Sequence, residues 1–529
     1  SYEAKLAPCI AACPAGERVE QWIRLFEQER YVDAWRLIKS VNPLPRVCGR
    51  VCFHPCEADC NRGHYDRPVA IHSLERFVSD SAGSIGREKC PKLKKTGKRV
   101  GVVGSGPAGL SCAYHLALRG YEVTIYEVEA ELGGLLRYGI PAYRLPKDIL
   151  NEEIEDILAL GIEARMGARI EDFEKLCATY DAVFVATGLA VSRKLGIPGE
   201  AGEGVMSALE FLKLVNGGAA PELHGKVLIV GGGNAAIDAA RAALRVGATP
   251  TIVYRRTREE MPASPPEIEE AEREGVAIRF LAEPLEIMRE NERPILVECA
   301  RNQPGEVGED GRRKAVPVKG SNFLVEANTV IVAIGEEPDN RLSRNSVFGR
   351  RGGPVWPPGR PHRGAPTIAA KSPNVFFGGD LVNRKRTVAH AIGSGRRAAL
   401  AIDRSLGGSG EDPAGVIEGS IVKFEDINTD YFIRRPRARI PKLPLNERQN
   451  TFTEVCLGLE TNAALEEAQR CFHCGACISC DNCFDLCPDI AVRKSDDGAY
   501  SIDYDYCKGC GICVHECPRN AMSIAEEDK

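Results

Sequence analysis

A chain of 529 residues suggests three or four domains, and its 43% apolar and 27% charged residues are a globular composition. The formal net charge of −5 supplies no basic field to attract nucleic acid, which removes that class of partner. No apolar stretch approaches the roughly 18 residues that cross a bilayer, and the start lacks the charged-then-apolar layout of a secretion signal; a cytoplasmic protein without a membrane is expected, its 21 cysteines reduced rather than paired as disulfides.

The cysteines gather at the two ends: six from Cys9 to Cys60, eleven from Cys456 to Cys517, four between. The first group reads Cys9-x3-Cys13-Pro14, then Cys48, Cys52, Cys56 and Cys60 at four-residue steps. This is not a ferredoxin spacing, and by itself it marks only a metal or cluster site.

The middle of the chain is α/β. Short β-branched runs at Lys98–Val103, Val123–Tyr126, Ala182–Val185, Val227–Val230, Thr251–Tyr254 and Thr329–Ala333 alternate with helical stretches and glycine-rich turns, implying two Rossmann-like dinucleotide-binding folds. In the first, the strand ending at Val103 runs into Gly104-Ser-Gly106-Pro107-Ala108-Gly109, and the next strand ends in Glu127. The glycines permit a tight turn and close approach of a pyrophosphate to a helix N-terminus, and Glu127 can accept from ribose hydroxyls. The second fingerprint is Gly231-Gly-Gly233-Asn234-Ala235-Ala236, with Ala in place of the third glycine. Its second strand ends in Arg255-Arg256 instead of an acid, so a 2′-phosphate meets two guanidiniums while a 2′-hydroxyl finds no acceptor; NADPH is favoured over NADH. The alternative for the pair is pairing with Glu259 and Glu260. No Cys-x-x-Cys lies between the fingerprints, and Cys112, Cys177 and Cys299 are isolated and expected to be buried, which argues against disulfide-reductase chemistry.

From Ile421 to Asn450 the chain is rich in Arg and Pro with little periodicity and reads as a linker. Beyond it, Cys477, Cys480, Cys483 and Cys487-Pro488 form C-x2-C-x2-C-x3-C-P, and Cys507, Cys510, Cys513 and Cys517-Pro518 repeat it. A tight loop supplies three corners of a cubane and the other repeat supplies the fourth, so Cys477, Cys480, Cys483 and Cys517 are assigned to one [4Fe–4S] cluster and Cys507, Cys510, Cys513 and Cys487 to another. Zinc, which wants two pairs and not a triplet with a remote fourth, is the disfavoured alternative.

Two resemblances extend these readings. Ala186-Thr187-Gly188, Ala333-Ile-Gly335 and Asn374-Val-Phe-Phe-Gly-Gly379-Asp380 are similar to segments of the flavoprotein disulfide reductases. That likeness implies FAD at the first fingerprint, with Asp380 on the ribityl chain and a helix starting near Thr387 and Val388 aimed at the flavin pyrimidine ring, and it groups Gly335 with the nicotinamide site. The N-terminal run, with everything up to about residue 410, resembles the glutamate synthase small subunit, dihydropyrimidine dehydrogenase and the large subunit of the bifurcating ferredoxin:NADP oxidoreductase. In that likeness Gly133-Gly134-Leu135-Leu136 is the loop that approaches the isoalloxazine, and residues 1–96 are a helical domain holding two clusters.

One cluster of those relatives draws on a Cys-x2-Cys pair ahead of the Cys-x3-Cys-Pro, and this chain has none there. Arg470-Cys471-Phe-His-Cys474 looks like that pair moved to the other end, so Cys471 and Cys474 are expected to fold back onto Cys9 and Cys60. Cys13, Cys52 and Cys56 then hold the second cluster, with Glu75 as fourth ligand and Cys48 as its competitor.

The expected architecture is multidomain α/β: 1–96 helical iron–sulfur, 97–222 and 325–415 FAD-binding, 223–324 NAD(P)H-binding, 416–465 linker and 466–529 a 2[4Fe–4S] ferredoxin-like module. The expected function is NAD(P)H oxidation at FAD and single-electron transfer through four [4Fe–4S] clusters to a ferredoxin or a partner oxidoreductase subunit, or the reverse, within a hetero-oligomeric complex. The alternative is the small subunit of a glutamate synthase.

Overall fold

The computed structural model describes residues 5–83, 94–219, 221, 223, 225–308, 311–339, 374–383, 385–412, 415 and 418–524. Of the expected boundaries, residues 222 and 416 lie outside the described residues. No described helix is long and apolar enough to cross a membrane.

The N-terminal unit is a set of short helices, Pro8–Ala12, Val19–Glu27, Tyr31–Lys39, Pro45–Val51, Pro55–Ala58, Arg62–Tyr65 and Ile71–Gly83. Proline starts three of them, where its missing N–H costs nothing. Val19–Glu27 buries Val19, Trp22, Ile23 and Phe26, one apolar stripe at helical spacing, and Phe26 meets the Phe77 ring edge at 5.6 Å. Ala464 and Ala468, from a helix Thr461–Ala468, complete the same core. Residues 461–468 therefore pack as part of the N-terminal unit and not of the linker or the tail module.

Two parallel sheets form the middle. In the first the order is Val375–Phe377, Ala182–Val185, Arg99–Val103, Glu122–Tyr126, Glu163–Arg165. In the second it is Ala277–Phe280, Thr249–Tyr254, Lys226–Val230, Thr329–Val332, Val205–Ser207. The last two strands were expected in the flavin parts of the chain, and the structure corrects this: Val330 and Ile331, fully buried, need sheet neighbours on both edges, and Lys226–Val230 and Val205–Ser207 provide them. A twisted antiparallel sheet of Ala282–Glu290, Arg293–Val307, Arg313–Pro317 and Phe323–Glu326 was not anticipated.

The stretch read as a linker is tied down along its length. Ser420–Ile421 pairs in parallel with Lys5–Leu6, Arg437 reaches Glu57 at 2.6 Å, and Glu454 meets Arg50 and Arg76 at 3.0 Å each. Lys442 and Arg448 bind Glu270 at 3.0 and 2.6 Å, and Arg448 also approaches Glu274. Glu274 in turn holds Arg241 and Arg245, whose guanidiniums stack on the Tyr143 ring at 4.6 and 3.9 Å. The segment is thus a strap that joins the N-terminal unit, the flavin-side loop carrying Tyr143 and the second sheet's helices through desolvated, multiply bonded charges.

His115, on the helix Pro107–Ala117, sits at the junction of the N-terminal unit and the first sheet, its Nε2 3.3 Å from the Val41 carbonyl. Burial, Arg396 and Arg119 hold it down to about 3, against the pull of the Val41 carbonyl and Asp412. The unfolded chain takes up a proton near pH 6.5 that the folded one refuses, so stability is lost as pH falls through 6.5 towards 3, by about 1.3 kcal/mol between pH 7 and pH 5.5. His115→Gln is expected to shrink the drop in unfolding temperature over that interval; an unchanged drop would rule the assignment out.

Candidate functional site

At the junction of the N-terminal unit and the tail, Cys9, Cys60, Cys471 and Cys474 are neighbours. Burial pushes the Cys9 thiol well up, and Cys60, Cys471 and Cys474 push it further; burial takes Cys60 up to about 11. Two groups donate toward sulfur: His473 N–H to Cys471 Sγ at 3.4 Å and Asn61 Nδ2 to Cys474 Sγ at 3.5 Å. The returning segment is fixed by Arg470, almost fully buried, which binds Glu467 at 2.6 Å and Asp66 at 2.8 Å, while Glu467 accepts the backbone N–H groups of Ala70 and Ala438.

Beside this group Cys13, Cys48, Cys52, Cys56 and Glu75 line one cavity. Burial takes Cys13 up to about 12 and raises Glu75, the latter further through Glu17. Asn42 Nδ2 donates to Glu17 at 2.8 Å and to Glu75 at 3.2 Å. Both candidates for the fourth ligand, Glu75 and Cys48, face the cavity, and so does Glu17, which sequence reasoning missed because a lone glutamate after Gly16 carries no pattern. Glu153 reaches over from the flavin side to accept the N–H groups of Arg46 and Val47 at 2.8 and 3.0 Å, fixing the start of the helix that bears Cys48.

In the tail, Cys483 is raised to about 11 by burial, then by Cys477, Cys480 and Cys517. Cys513 is raised by burial and by Cys507, Cys510 and Cys487. Cys483 thus lies near the three other members of its expected quartet and also near Cys513, and Cys513 lies near the three expected partners of its own. The repeats share one local device, an N–H from Ala491 to Cys487 Sγ and from Ala521 to Cys517 Sγ, both at 3.2 Å. Grouped thiols that can deprotonate on binding a cation-rich cluster are its donor set, and the cysteine groups fit iron–sulfur clusters: those that involve the N-terminal unit are buried or half-buried, while Cys477, Cys480 and Cys510 of the tail are exposed.

The first glycine fingerprint is built for close approach. A Cβ on Gly104 would lie 2.5 Å from the Ala186 carbonyl and one on Gly109 only 1.9 Å from the Gly104 carbonyl, whereas one on Gly106 would point into open space. Gly106 caps the helix Pro107–Ala117 without a side-chain bond, leaving a positive helix end there, with Ala108 and Gly109 buried in its first turn. Buried Glu127 accepts the N–H of Ser105 at 3.0 Å and of Glu129 at 2.9 Å. Gly134 rests on Gly106, where a Cβ would come within 2.9 Å of its Cα, and Leu135 beside it is exposed. Thr187 and Gly188 follow the strand Ala182–Val185 at the same end of the sheet, with Gly188 at φ +63°.

Gly379 packs against Ala108, and Asp380, pushed by burial up to about 6, has one carboxylate oxygen buried without a partner. That orphaned acceptor and the open cradle over Gly106 fit a dinucleotide with hydroxyl donors. Thr387 caps the helix Val388–Ser405, accepting the His390 N–H at 3.3 Å, so its hydroxyl serves the helix start while Val388 stands half-buried there. The same helix touches the cluster region: Ala389 lines the Cys13 cavity, and a Cβ on Gly393 would lie 1.9 Å from the Pro14 carbonyl.

At the second fingerprint a Cβ on Gly231 would meet the Ala333 carbonyl at 2.2 Å, while Gly233 and Gly335 face open space. Asn234, expected to touch the nucleotide, accepts the Ser264 N–H at 3.1 Å and thereby orders the loop that follows the Arg pair; Ala235 lies in the first turn. Arg255 is exposed, and Arg256 donates to the Arg313 carbonyl at 2.8 Å. Glu260 binds Arg313 at 3.1 Å. Cys112 and Cys299 are buried as expected, and Cys177 is half-buried because its short helix lies at the sheet surface.

Two nucleotide cradles on parallel sheets, flanked by cysteine quartets, define a flavin-dependent pyridine-nucleotide oxidoreductase with iron–sulfur units. The chain belongs to the pyridine nucleotide-disulphide oxidoreductase family, whose model matches residues 98–395; those described as dihydropyrimidine dehydrogenase domain II, 4Fe–4S cluster, and 4Fe–4S binding domain match residues 2–86 and 500–523. It is 39% identical to the NADP(+)-dependent formate dehydrogenase subunit beta of Moorella thermoacetica, over 88% of this chain and 70% of that one. It is 37% identical to the NADPH-Fe(3+) oxidoreductase subunit beta of Geobacter sulfurreducens, over 88% and 75%, and 35% identical to the glutamate synthase [NADPH] small chain of Escherichia coli, over 74% and 87%.

Proposed function

We propose that this chain is the NADPH-facing subunit of a larger cytoplasmic redox complex, exchanging a hydride at FAD and single electrons at its ferredoxin-like tail. When bound, flavin and cubanes supply the conversion of an electron pair into single electrons. The chain's own residues bind and orient. Gly104, Gly106, Pro107, Ala108, Gly109, Glu127, Gly134, Leu135, Thr187, Gly188, Gly379, Asp380, Thr387 and Val388 form the flavin cradle. Gly231, Gly233, Asn234, Ala235, Arg255, Arg256 and Gly335 form the nicotinamide cradle.

Four cysteine groups hold the clusters: Cys13, Cys52, Cys56 with Glu75 or Cys48; Cys9, Cys60, Cys471, Cys474; Cys477, Cys480, Cys483, Cys517; and Cys487, Cys507, Cys510, Cys513. The domain division at 96, 222, 324, 415 and 465 accompanies this reading, amended by the two strands and the helix described above.

The observation that carries the proposal is continuity. The helix capped by Thr387 lines the Cys13 cavity through Ala389, Cys9 lies next to that cavity's Cys56, and Cys474 is three residues from Cys477. Relatives named as beta subunits or small chains support assembly with a second, acceptor-bearing subunit. Full-length protein prepared anaerobically is expected to hold one FAD and about sixteen irons, four in each of four cubanes, and to reduce a viologen dye with NADPH in preference to NADH. About twelve irons or fewer would dismiss the fourth cluster, and a preference for NADH would dismiss the nucleotide reading. Glutamate synthase duty, favoured by the similarity to the Escherichia coli small chain, predicts glutamine-dependent NADPH oxidation once a partner subunit is added.

A further inference from the structure

The fold-back of Cys471 and Cys474 needs a receiver, and the helix Val19–Glu27 has the form of one. Its apolar residues face the core, while Glu20, Arg24 and Glu27, spaced i, i+4 and i+7, share another face. All three engage the segment 471–477. His473, almost fully buried, stands between Glu20, 3.1 Å from its Nδ1, and Glu27, 2.9 Å from its Nε2. Arg24 Nη1 donates to the Cys477 carbonyl at 3.2 Å. His473 adopts φ +49°, a left-handed conformation that a non-glycine residue holds only where its surroundings compensate. Its own N–H turns onto Cys471 Sγ. Asn61, on the other side, donates to Cys474 Sγ and to the Val422 carbonyl of the strap at 3.0 Å.

We propose that His473, clasped between Glu20 and Glu27, is a positioning residue that seats the Cys471/Cys474 pair on Cys9 and Cys60, and that Arg24 carries the register of that clasp into the first tail quartet through Cys477. An imidazole with one carboxylate on each nitrogen cannot rotate or slide without losing a bond on one side, so the turn between the two cysteines has a single orientation. The acid–base–acid face also sets direction: Glu20 and Glu27 take the histidine, and the guanidinium between them, 4.0 Å from Glu20, donates to the carbonyl of the next ligand. Two quartets belonging to opposite ends of the sequence are thereby held in a fixed mutual position by one helix.

The inference rests on the fold-back ligand set of the proposed function, and its test separates the two. Variants are made in the full-length, anaerobically loaded protein and read by iron and acid-labile sulfide content and by electron paramagnetic resonance of the reduced clusters. Cys471→Ser with Cys474→Ser is expected to remove one of four signals and about a quarter of the iron; unchanged content overturns the ligand set itself. His473→Ala, which spares every ligand, is expected to lose or broaden the same signal, and the Glu20→Gln, Glu27→Gln double variant to reproduce the loss. His473→Lys, which keeps a cation between the carboxylates, is expected to restore at least half of it. A His473→Ala protein with four unaltered signals, beside a cysteine variant with three, overturns the clasp alone, as does a His473→Lys variant no better than His473→Ala.

Discussion

Arg255→Ala combined with Arg256→Ala is expected to lower kcat/KM for NADPH about a hundredfold or more while changing that for NADH by no more than about threefold. A hydrogen bond to an ionised group contributes about 1.5–3 kcal/mol, and two guanidiniums on one phosphate give at least about 3 kcal/mol, or roughly two decades. The two are not equal partners. Arg256 is anchored through Nε to the Arg313 carbonyl, so its remaining donors are ordered before the nucleotide arrives, whereas Arg255 is exposed and must be immobilised on binding. The single Arg256→Ala change should therefore exceed Arg255→Ala by several-fold. Equal losses with both nucleotides would show that the pair shapes the strand end and does not read the 2′-phosphate.

Gly109→Ala is expected to yield protein with almost no flavin. The new methyl carbon would fall 1.9 Å from the Gly104 carbonyl, and Gly104 cannot retreat because its own Cα hydrogen faces the Ala186 carbonyl, which a Cβ would approach to 2.5 Å. Overpacking of this kind costs about 1–3 kcal/mol and distorts the turn that meets the pyrophosphate. Gly106→Ala provides the contrast. Among the described residues, no atom beyond its two chain neighbours lies within 4 Å of a Cβ there, so unfolding of the flavin-free protein should be unaffected while the methyl occupies the cradle and flavin is again lost. Absorbance of the purified variants near 450 nm reports the flavin, and iron content in both should match the parent protein. A Gly106→Ala protein that keeps its full flavin would dismiss the first fingerprint as a pyrophosphate cradle.

The parts of the fold legible in the sequence are those written in local patterns. The strands Arg99–Val103, Glu122–Tyr126 and Lys226–Val230 lie within two residues of where β-branched runs place them, because beyond an exposed charged first residue each is buried on both faces and mostly apolar. The assignment of the tail quartets rests on spacing, since a ligand every third residue leaves little choice. Strand ownership was not legible: Thr329–Val332 is as buried as its flavin-side counterparts, Val205–Ser207 is short and half-buried, and nothing local says which sheet they complete. The antiparallel sheet escaped notice because the strand Arg293–Val307 interleaves charged, proline and glycine residues and is mostly exposed at its end. Among site residues, the carboxylate of Glu17 meets Asn42 and the imidazole of His473 meets Glu20 and Glu27, partners far along the chain, so their roles emerge from packing and not from pattern.

Packing of the helix Thr461–Ala468 into the N-terminal core has a consequence for how the molecule is made. The first helices leave the ribosome with the hole that Ala464 and Ala468 will fill still open, and more than three hundred and fifty residues must follow before it closes. Until then, on the proposed ligand set, Cys9 and Cys60 lack their two partners. On that ligand set, maturation of the quartet waits for translation past Cys474, and a polypeptide cut short before residue 461 is expected to leave the core of its front end open.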